Sequence, residues 1–482
     1  MKSEIWKKAV LIGVTILLLT AAILIAILQL DLAGTRRDLD RFSKMEYNGA
    51  FFSMYDISCY SEEDFITYRG VVTVKAEQTV GSWNRLSKYL DNIFSSQNTV
   101  TNVFLGLDPA VLWEKSQNKE EKWARNLNKH MTSYIADRQE VSFDILLPTY
   151  QLSHWTKLSA AQMEEKLKGY SKLIESLYGY PNVKIYFLGG EQGFIANPAN
   201  YLSEGQTNEE ISRKIFLYTF CDQKYQISPD NAPELFERLI SLVEQEWESP
   251  AVYPDLSDLC IVFLGDSVLV SNAGGLSIPG VVKGLCGAQA YNCGESGLSA
   301  SGDPSVFFNL NGVISHFLTQ DISGEPNNNF WRGLTEYIEE NHEGKKHCFI
   351  LHVGLNDCFR GVPIENPTDA YDTGTYAGAL RTATRTLREA YPEALILVMT
   401  PTYSVYETER NIEGGGVLKD YVDAAVRVAE EMGTYCMNNY QDSGINAENQ
   451  AYFLVDGIHP NETGSFCLGR QIVEYLSRVL SR

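Results

Sequence analysis

A serine at the end of an apolar run is the first residue of this chain that could do chemistry. Residues 259–264 are continuously apolar, and Gly265, Asp266 and Ser267 follow them. A short apolar run that ends in a turn is typical of a strand buried on both faces of a parallel sheet. In open parallel sheets, ligands bind at the carboxyl ends of strands. The sequence therefore puts the Ser267 hydroxyl where a nucleophile would act, although Gly-Asp-Ser is also ordinary turn chemistry.

A serine hydroxyl needs a base to take its proton and a second group to orient that base. Asp456 and His459 lie three residues apart in a loop that contains Gly457 and Pro460. One tight turn can hold the carboxylate against one imidazole nitrogen and leave the other nitrogen for Ser267. For these two residues taken alone, a solvated surface turn is the alternative.

Two further loops could donate hydrogen bonds to the oxyanion of a tetrahedral intermediate. Asn356 lies in Gly-Leu-Asn-Asp at 354–357, and two residues separate this motif from the apolar run 348–351. Its side-chain amide can point a donor at a developing negative charge. Gly294 lies in Asn-Cys-Gly-Glu-Ser-Gly at 292–297. Its N–H can approach a substrate closely because glycine has no Cβ. Turn glycines and a helix-capping side chain are the alternative interpretation of these motifs.

In this order, the four motifs resemble those of the SGNH hydrolase family, also called the GDSL esterases and lipases. That family carries a Gly-Asp-Ser block, a glycine block, a Gly-x-Asn-Asp block and an Asp-x-x-His block. The resemblance implies a catalytic set of Ser267 as nucleophile, His459 as base and Asp456 as the partner of the base. It also implies an oxyanion hole made of the N–H groups of Ser267 and Gly294 and of the Asn356 side chain.

The N-terminus predicts a membrane anchor. Three lysines within residues 1–8 precede an uncharged stretch of 22 residues, Ala9 to Leu30. At about 1.5 Å per residue this stretch can span a bilayer core. A cleaved signal peptide is the alternative, but its apolar region usually has only about 7–15 residues. Basic residues flank both ends of the stretch, so the distribution of positive charge does not decide its orientation. We infer the orientation instead from the shortness of the tail that precedes it. We expect residues 1–8 in the cytoplasm and the bulk of the chain outside the cell membrane, which it crosses once.

The resemblance covers residues 258–482, with Val268 in place of the leucine in the family's name. It implies hydrolysis of carboxyl esters through an acyl-enzyme, without a cofactor or a metal ion. The expected substrate is an acylated carbohydrate or a small ester. Acetyl esters of cell-surface or environmental glycans are preferred, because an anchored enzyme that faces outward meets them. Two alternatives stay open: acyl transfer onto a cell-envelope polysaccharide beside a membrane-bound O-acyltransferase, and a non-catalytic glycan-binding scaffold.

Composition excludes some other classes of protein. The formal net charge is −21, which disfavours binding to the phosphates of a nucleic acid. The nine cysteines are an odd number, which argues against a complete disulfide framework. No zinc motif occurs among the histidines, and His352, within a strand-like run, is interpreted as a packed core residue.

Residues 102–215 echo the catalytic half. Pro-Thr-Tyr at 148–150 recurs at 401–403, and the residue numbers differ by 253 (401 − 148). The segments 103–108 and 352–357 are also similar. Generic alternation of helices and strands with chance triplets is the alternative to a true repeat.

The upstream copy lacks the groups that a hydrolase needs. At the same offset of 253, Gln206 stands in the place of His459 and Ser203 in that of Asp456. An amide cannot act as a general base near neutral pH, and no Gly-Asp-Ser precedes this copy. We therefore predict a degenerate SGNH-like domain over 42–250, without a triad.

The predicted fold class is α/β, with two three-layer, doubly wound parallel-sheet domains behind one transmembrane helix. The catalytic domain is expected over 258–482, and the stretch 247–256, with two prolines, is the expected linker. Thr463 to Leu480 should form the last helix and cover the catalytic sheet.

Overall fold

The computed structural model describes residues 33–96, 98–272, 274–324, 328–408 and 415–481. The predicted tail 1–8 and the predicted span Ala9 to Leu30 lie outside these ranges. Within them, no helix combines the length and the apolar character that a bilayer crossing requires. The membrane anchor therefore stays a prediction.

The chain divides into two compact units. The N-terminal unit contains the described residues up to Gly190 together with Leu202–Val243, and the C-terminal unit contains Glu191–Tyr201 and the chain from Glu244 onwards. The sequence predicted two domains that are each continuous, over 42–250 and 258–482. The segment Glu191–Tyr201 departs from that division. It packs in the C-terminal unit, where the amide of Asn197 donates to the Gly275 carbonyl oxygen at 3.2 Å.

Twelve strands are named in chain order. They are β1 (Gly49–Ser53), β2 (Thr73–Lys75), β3 (Asn102–Gly106), β4 (Ser142–Leu146), β5 (Val183–Tyr186), β6 (Tyr201–Ser203), β7 (Gln206–Thr207), β8 (Leu259–Gly265), β9 (Gln289–Asn292), β10 (Lys346–His352), β11 (Leu395–Met399) and β12 (Tyr435–Met437).

The helices are named in the same way. Up to residue 250 they are α1 (33–44), α2 (Glu62–Arg69), α3 (Trp83–Ser95), α4 (Pro109–Lys115), α5 (Glu120–Leu127), α6 (Ser133–Ala136), α7 (Leu152–Thr156), α8 (Ala160–Leu177), α9 (Gln192–Ile195), α10 (Glu209–Phe216) and α11 (Ala232–Glu248). Beyond it they are α12 (Ser267–Val270), α13 (Ile278–Cys286), α14 (Leu310–Thr319), α15 (Asn329–Glu339), α16 (Leu355–Phe359), α17 (Tyr376–Ala390), α18 (Leu418–Met432), α19 (Asn439–Asp442), α20 (Gln450–Phe453) and α21 (Glu462–Leu480).

Each unit contains a five-stranded parallel sheet, and the two sheets have the same strand order. The order is β2-β1-β3-β4-β5 in the N-terminal unit and β9-β8-β10-β11-β12 in the C-terminal unit. In both, the first strand of the unit lies between the second and the third. The predicted α/β class with parallel sheets is thereby confirmed. The shared order also favours the predicted internal repeat over a chance similarity of triplets.

The sheet of the C-terminal unit is buried on both faces. Cys260, Val262 and Leu264 of β8 point into one hydrophobic cluster, while the alternating residues Ile261 and Phe263 point into a second cluster. This explains why β8 is continuously apolar rather than alternating, since every residue of a central strand in a covered parallel sheet is buried. The predicted last helix is α21, and its Phe466 and Leu468 belong to the second cluster.

Candidate active site

Ser267 is the first residue of α12, at the carboxyl end of β8. The strand must turn sharply here, and Gly265 permits it: an added Cβ would lie 2.3 Å from the His352 carbonyl oxygen. Asp266 then starts the helix, because its Oδ1 accepts a hydrogen bond from the Val268 N–H at 3.1 Å. The Gly-Asp-Ser motif thus has a structural reason for each of its first two residues, and together they fix the position of Ser267.

The loop that carries Asp456 and His459 is held by its own aspartate. Asp456 Oδ1 accepts hydrogen bonds from the backbone N–H groups of Ile458 at 3.0 Å and His459 at 2.8 Å. Gly457 adopts a φ of 80°, a left-handed conformation that glycine takes without strain. One side of the carboxylate therefore shapes the turn, and the other side stays free for the imidazole.

The structure brings Ser267, His459 and Asp456 into one hydrogen-bonded chain. His459 Nε2 lies 2.8 Å from Ser267 Oγ, and His459 Nδ1 lies 2.7 Å from Asp456 Oδ2. Burial opposes the charge on Asp456, but the hydrogen bonds from His459 and Ile458 outweigh it and hold the pKa of this carboxyl below its ordinary value. An ionised aspartate fixes the Nδ1–H tautomer and leaves Nε2 free to accept the serine proton.

Asn272 joins the nucleophile segment to the base loop, and sequence reasoning missed it. Its buried amide donates to the Pro460 carbonyl oxygen at 3.0 Å and to Ser465 Oγ at 2.9 Å. Asn272 follows the nucleophile by five residues, whereas Pro460 directly follows His459. This bridge sets the approach of the imidazole to the serine. The sequence around Asn272 contains no motif that could have revealed it.

Gly294, one of the predicted oxyanion donors, is fastened to the nucleophile helix. An added Cβ at this position would meet the Cβ of Leu269 at 2.9 Å, so the loop packs there only as glycine. The Asn292 amide donates to the Leu269 carbonyl oxygen at 2.8 Å. The Gly294 N–H itself donates to Asn292 Oδ1 at 3.2 Å. This hydrogen bond is long. When an oxyanion forms, the Gly294 N–H must either donate to both oxygens or leave Asn292 Oδ1 for the oxyanion.

Asn356, the second predicted donor, lies in the first turn of α16. One hydrogen of its amide is used, because Nδ2 donates to the Leu298 carbonyl oxygen at 3.0 Å. A primary amide has two N–H donors, so a second remains for an oxyanion. The bond to Leu298 ties α16 to the same loop that carries Gly294.

Arg360 strengthens this tie, and sequence reasoning missed it. Its guanidinium donates to the Gly297 carbonyl oxygen at 2.9 Å and to the Ser299 hydroxyl. Arg360 directly follows α16, so it clamps the Gly294 loop to the helix that carries Asn356. We assign Arg360 a positioning role for the two oxyanion donors.

Replacing Arg360 by alanine should lower kcat with little change in KM, because the two donors would lose their fixed spacing. We expect a loss on the order of tenfold, below the roughly 10²-fold that a full 1 Å misplacement can cost. Steady-state kinetics on a small activated ester measure the split. An unchanged kcat would show that the bond from Asn356 to Leu298 holds the loop alone.

Two exposed aromatic side chains stand beside the triad. Phe359 and Tyr406 are each 38 % exposed, and their ring centroids lie 5.9 Å apart at an interplanar angle of 81°. Phe359 follows Asn356 by three residues on α16, which puts both on one side of that helix. Val405, next to Tyr406, donates its N–H to the Gly457 carbonyl oxygen at 3.1 Å. We call Phe359 and Tyr406 the aromatic rim.

Beneath the site lies a buried polar layer. His352 is fully buried, as predicted, and its Nδ1 lies 3.4 Å from Asp266 Oδ1. Asp357 accepts hydrogen bonds from the Ala300 N–H at 2.8 Å and the Ser301 N–H at 3.0 Å. Burial raises the pKa of Asp357 although these bonds oppose it. The aspartate of Gly-Leu-Asn-Asp therefore anchors the loop that contains Ala300 and Ser301.

The geometry supports proton transfer and oxyanion binding by protein groups. Within the described ranges, no cluster of three or more His, Cys, Asp or Glu side chains could hold a metal ion. Ser267, Gly294 and Asn356 follow the carboxyl ends of β8, β9 and β10, the edge at which open parallel sheets bind ligands. Their catalytic roles stay predictions that mutagenesis must test.

Comparison with known proteins finds a family for this half of the chain. Residues 263–465 match the sequence model of the GDSL-like Lipase/Acylhydrolase family. No curated protein matches the chain. Among solved structures, it is similar to a member of the lipolytic protein G-D-S-L family from Veillonella parvula DSM 2008, at 14 % identity and a TM-score of 0.30, over 46 % of this chain and 99 % of that one. It is also similar to a mutant of an acetyl-xylooligosaccharide esterase from Geobacillus Stearmophilus, at 16 % identity and a TM-score of 0.28, over 46 % of this chain and 94 % of that one.

Proposed function

We propose, because residues 263–465 belong to the GDSL-like lipase/acylhydrolase family, that this protein removes acyl groups from glycans outside the cell membrane. The family makes the C-terminal unit a serine ester hydrolase. The finer proposal is that the ester is an acetyl ester on a cell-surface or environmental polysaccharide. Acyl transfer to a polysaccharide hydroxyl, with a membrane-bound O-acyltransferase as partner, is the alternative that the assay below separates.

The observation that carries the proposal is a triad in hydrogen-bonded order that is open to solvent. The side chains of His459 and Asp456 are 31 % and 51 % exposed. A deeply enclosed triad would admit only a small or flexible ester. An open one accepts an ester that projects from a bulky polymer.

The reaction follows from the distances. Ser267 Oγ forms a bond to the ester carbonyl carbon while its proton passes to His459 Nε2. The carbonyl oxygen becomes an oxyanion that the N–H groups of Ser267 and Gly294 and the Asn356 amide bind. The carbon–oxygen bond to the sugar then breaks, and the sugar oxygen leaves with the proton from His459. Water attacks the acyl-enzyme by the same route in reverse, giving the carboxylic acid and free Ser267.

The aromatic rim supports a sugar as the alcohol part of the substrate. The faces of aromatic rings pack well against apolar surfaces while they remain partly hydrated. The C–H face of a sugar ring is such a surface. Phe359 and Tyr406 stand beside Asn356 and the Gly457 turn, where the alcohol part of a bound ester would extend.

Replacing Tyr406 by alanine should therefore raise KM for an acetylated oligosaccharide and leave p-nitrophenyl acetate hydrolysis unchanged. Loss of one aromatic contact of about 0.5–1.5 kcal/mol corresponds to a roughly two- to tenfold change in KM. Tyr435 is a matched control, because it is 41 % exposed and lies on β12, away from the triad. Equal effects on both substrates would remove the rim from the substrate site.

The function is tested with the chain lacking residues 1–30, purified and incubated with p-nitrophenyl acetate and with acetylated glycans. Acetate release that depends on Ser267 supports hydrolysis. Acyl-glycan formation from an acyl donor, in preference to free acetate, supports transfer. Absence of any turnover on both substrate classes, from a folded preparation, would contradict the proposal.

The location is proposed from the predicted span alone. If Ala9 to Leu30 anchors the chain, protease treatment of intact cells should digest residues 31–482 and spare a cytoplasmic control protein. Full-length protein in the cytoplasmic soluble fraction would contradict both the anchor and the choice of an extracellular glycan.

A further inference from the structure

The N-terminal unit has a cavity at the edge of its sheet that corresponds to the catalytic edge of the C-terminal unit. The cavity has a volume of about 700 Å³ and is lined by the loops after β1 and β2 and by Arg41 of α1. This volume lies in the range of small-ligand sites, roughly 300–1,000 Å³. The carboxyl ends of parallel strands are where such folds bind ligands.

The strand register shows which residues replace the triad here. At the offset of 253, Leu146 of β4 corresponds to Met399 of β11. Leu146 pairs with Gly106 of β3, and Gly106 pairs with Ser53 of β1. In the C-terminal unit, Met399 pairs with His352 of β10, and His352 pairs with Gly265 of β8.

Counting two residues further, Tyr55 takes the place of Ser267. Its hydroxyl is not a nucleophile beside a base, because it donates to the Leu146 carbonyl oxygen at 2.9 Å.

The base is replaced by an amide that still reaches the nucleophile loop. Gln206, at the position of His459, donates from Nε2 to Ser58 Oγ at 3.0 Å. This pair repeats the contact between base and hydroxyl without a group that could accept the proton. Hydrogen-bond donors and acceptors therefore remain at the edge of the cleft, but this pair cannot transfer a proton as a serine and a histidine can.

Anionic ligands do not fit the cleft, whose lining includes four carboxylates that can accept hydrogen bonds from hydroxyl groups: Asp56, Glu62, Glu63 and Glu77. Arg41 is paired with Glu62 at 2.7 Å, and the Lys75 ammonium donates to the carbonyl oxygens of Ile57 at 3.1 Å and Ser58 at 2.9 Å. Both cations among the lining residues are therefore engaged, so an anion would find no free positive group there. The described lining also contains no metal-binding cluster.

An apolar ligand does not fit either, because Ile57 and Ala76 are the only aliphatic residues in the described lining. Both are buried. The uncharged polar lining consists of hydroxyl and amide groups, from Ser53, Tyr55, Ser58, Tyr60, Ser61, Gln78 and Thr79. Such groups recognise hydroxyls through paired donors and acceptors.

We infer that this cleft is a non-catalytic binding site for a neutral, hydroxyl-rich ligand, namely an uncharged sugar unit of a glycan. The inference does not depend on the reaction at Ser267, since the cleft and its lining belong to the N-terminal unit alone. It gives that unit a function that survives the loss of its triad.

The test uses the full chain with Ser267→Ala, which prevents turnover, and isothermal titration with neutral oligosaccharides of xylose, glucose, mannose and N-acetylglucosamine. One of them should bind. Adding Ser58→Trp or Thr79→Trp fills the cleft from an exposed position and should abolish the binding. Ser176→Trp, at an exposed serine of α8 outside the cleft, is the matched control and should leave affinity unchanged.

Four results would overturn the inference. The first is the absence of binding to every neutral oligosaccharide. The second is affinity that survives both cleft variants, and the third is affinity that Tyr406→Ala removes, since the ligand would then sit at the triad. Stronger binding of uronate oligosaccharides than of neutral ones would also contradict it. Thermal unfolding of each variant shows whether a loss reflects the cleft or the fold, and the two cleft variants are independent of each other.

Discussion

Replacing Ser267 by alanine is expected to lower kcat/KM for any good ester substrate by about 10⁵–10⁶-fold, as removal of a triad nucleophile does. The reason is that Ser267 Oγ is the only atom lost, and it is the atom 2.8 Å from His459 Nε2. The fold should remain, since Ser267 is partly exposed and the turn is held by Gly265 and Asp266. Steady-state kinetics and labelling with a fluorophosphonate measure the effect.

Two controls make this result decisive. Ser271 lies four residues further along, and among the described residues its hydroxyl donates only to the Val268 carbonyl oxygen, so Ser271→Ala should retain activity. Fluorophosphonate labelling should vanish in Ser267→Ala across the whole chain. Labelling that persists within residues 42–250 would reveal a second active centre and contradict the account of Tyr55 and Gln206.

Replacing His459 by alanine should cost about as much as replacing Ser267, because base and nucleophile act as one unit. Asp456→Asn should cost the same or less, on the order of 10⁴-fold, because the aspartate orients the imidazole and stabilises its charged form. The Asp456 side chain also holds its own loop through the N–H groups of Ile458 and His459. An asparagine oxygen can keep those bonds while it loses the charge, so the variant tests the charge and not the loop.

The pH dependence of the wild type separates the two residues. The pKa of Asp456 lies below its ordinary value, so the carboxylate stays ionised as pH falls into the mildly acidic range. A fall in kcat/KM there therefore cannot come from protonation of Asp456, and it should reverse as pH rises, because a general base must be neutral to accept the Ser267 proton. A kcat/KM that stays constant between about pH 5 and pH 8 would remove His459 as the base.

The two units suggest a division of work on one polymer. The C-terminal unit has the predicted triad at the edge of its sheet, and the N-terminal unit has a cleft that Tyr55 and Ser58 line, with Gln206 hydrogen-bonded to Ser58. A binding unit that is joined to a catalytic unit in one chain raises the local concentration of a polymeric substrate. Ser58→Trp should accordingly affect polymer hydrolysis and leave a small soluble ester unaffected.

The sequence by itself determined the α/β class of fold and identified the candidate reactive groups. Apolar runs such as 259–264 and 348–351 report strands because burial on both faces excludes polar residues. Gly-Asp-Ser and Asp-Gly-Ile-His can be recognised in the sequence because their structural roles are local. In each motif a glycine permits a tight turn and an aspartate caps a helix or a turn, so that the serine or the histidine remains available for the reaction. The offset of 253 predicts the repeat for the same reason, since strands and turns keep their local spacing.

Only the tertiary structure decided what lies between these motifs. Ser267 and His459 are 192 residues apart, and their contact depends on the order of the strands. Asn272, Arg360 and the aromatic rim act across loops whose meeting no local pattern encodes. The register of β1 against β3 decided that Tyr55 replaces the nucleophile, and packing of Glu191–Tyr201 placed that segment in the C-terminal unit. Local sequence specifies which groups can react, whereas non-local packing specifies which of them meet, because contacts between distant segments depend on the whole fold.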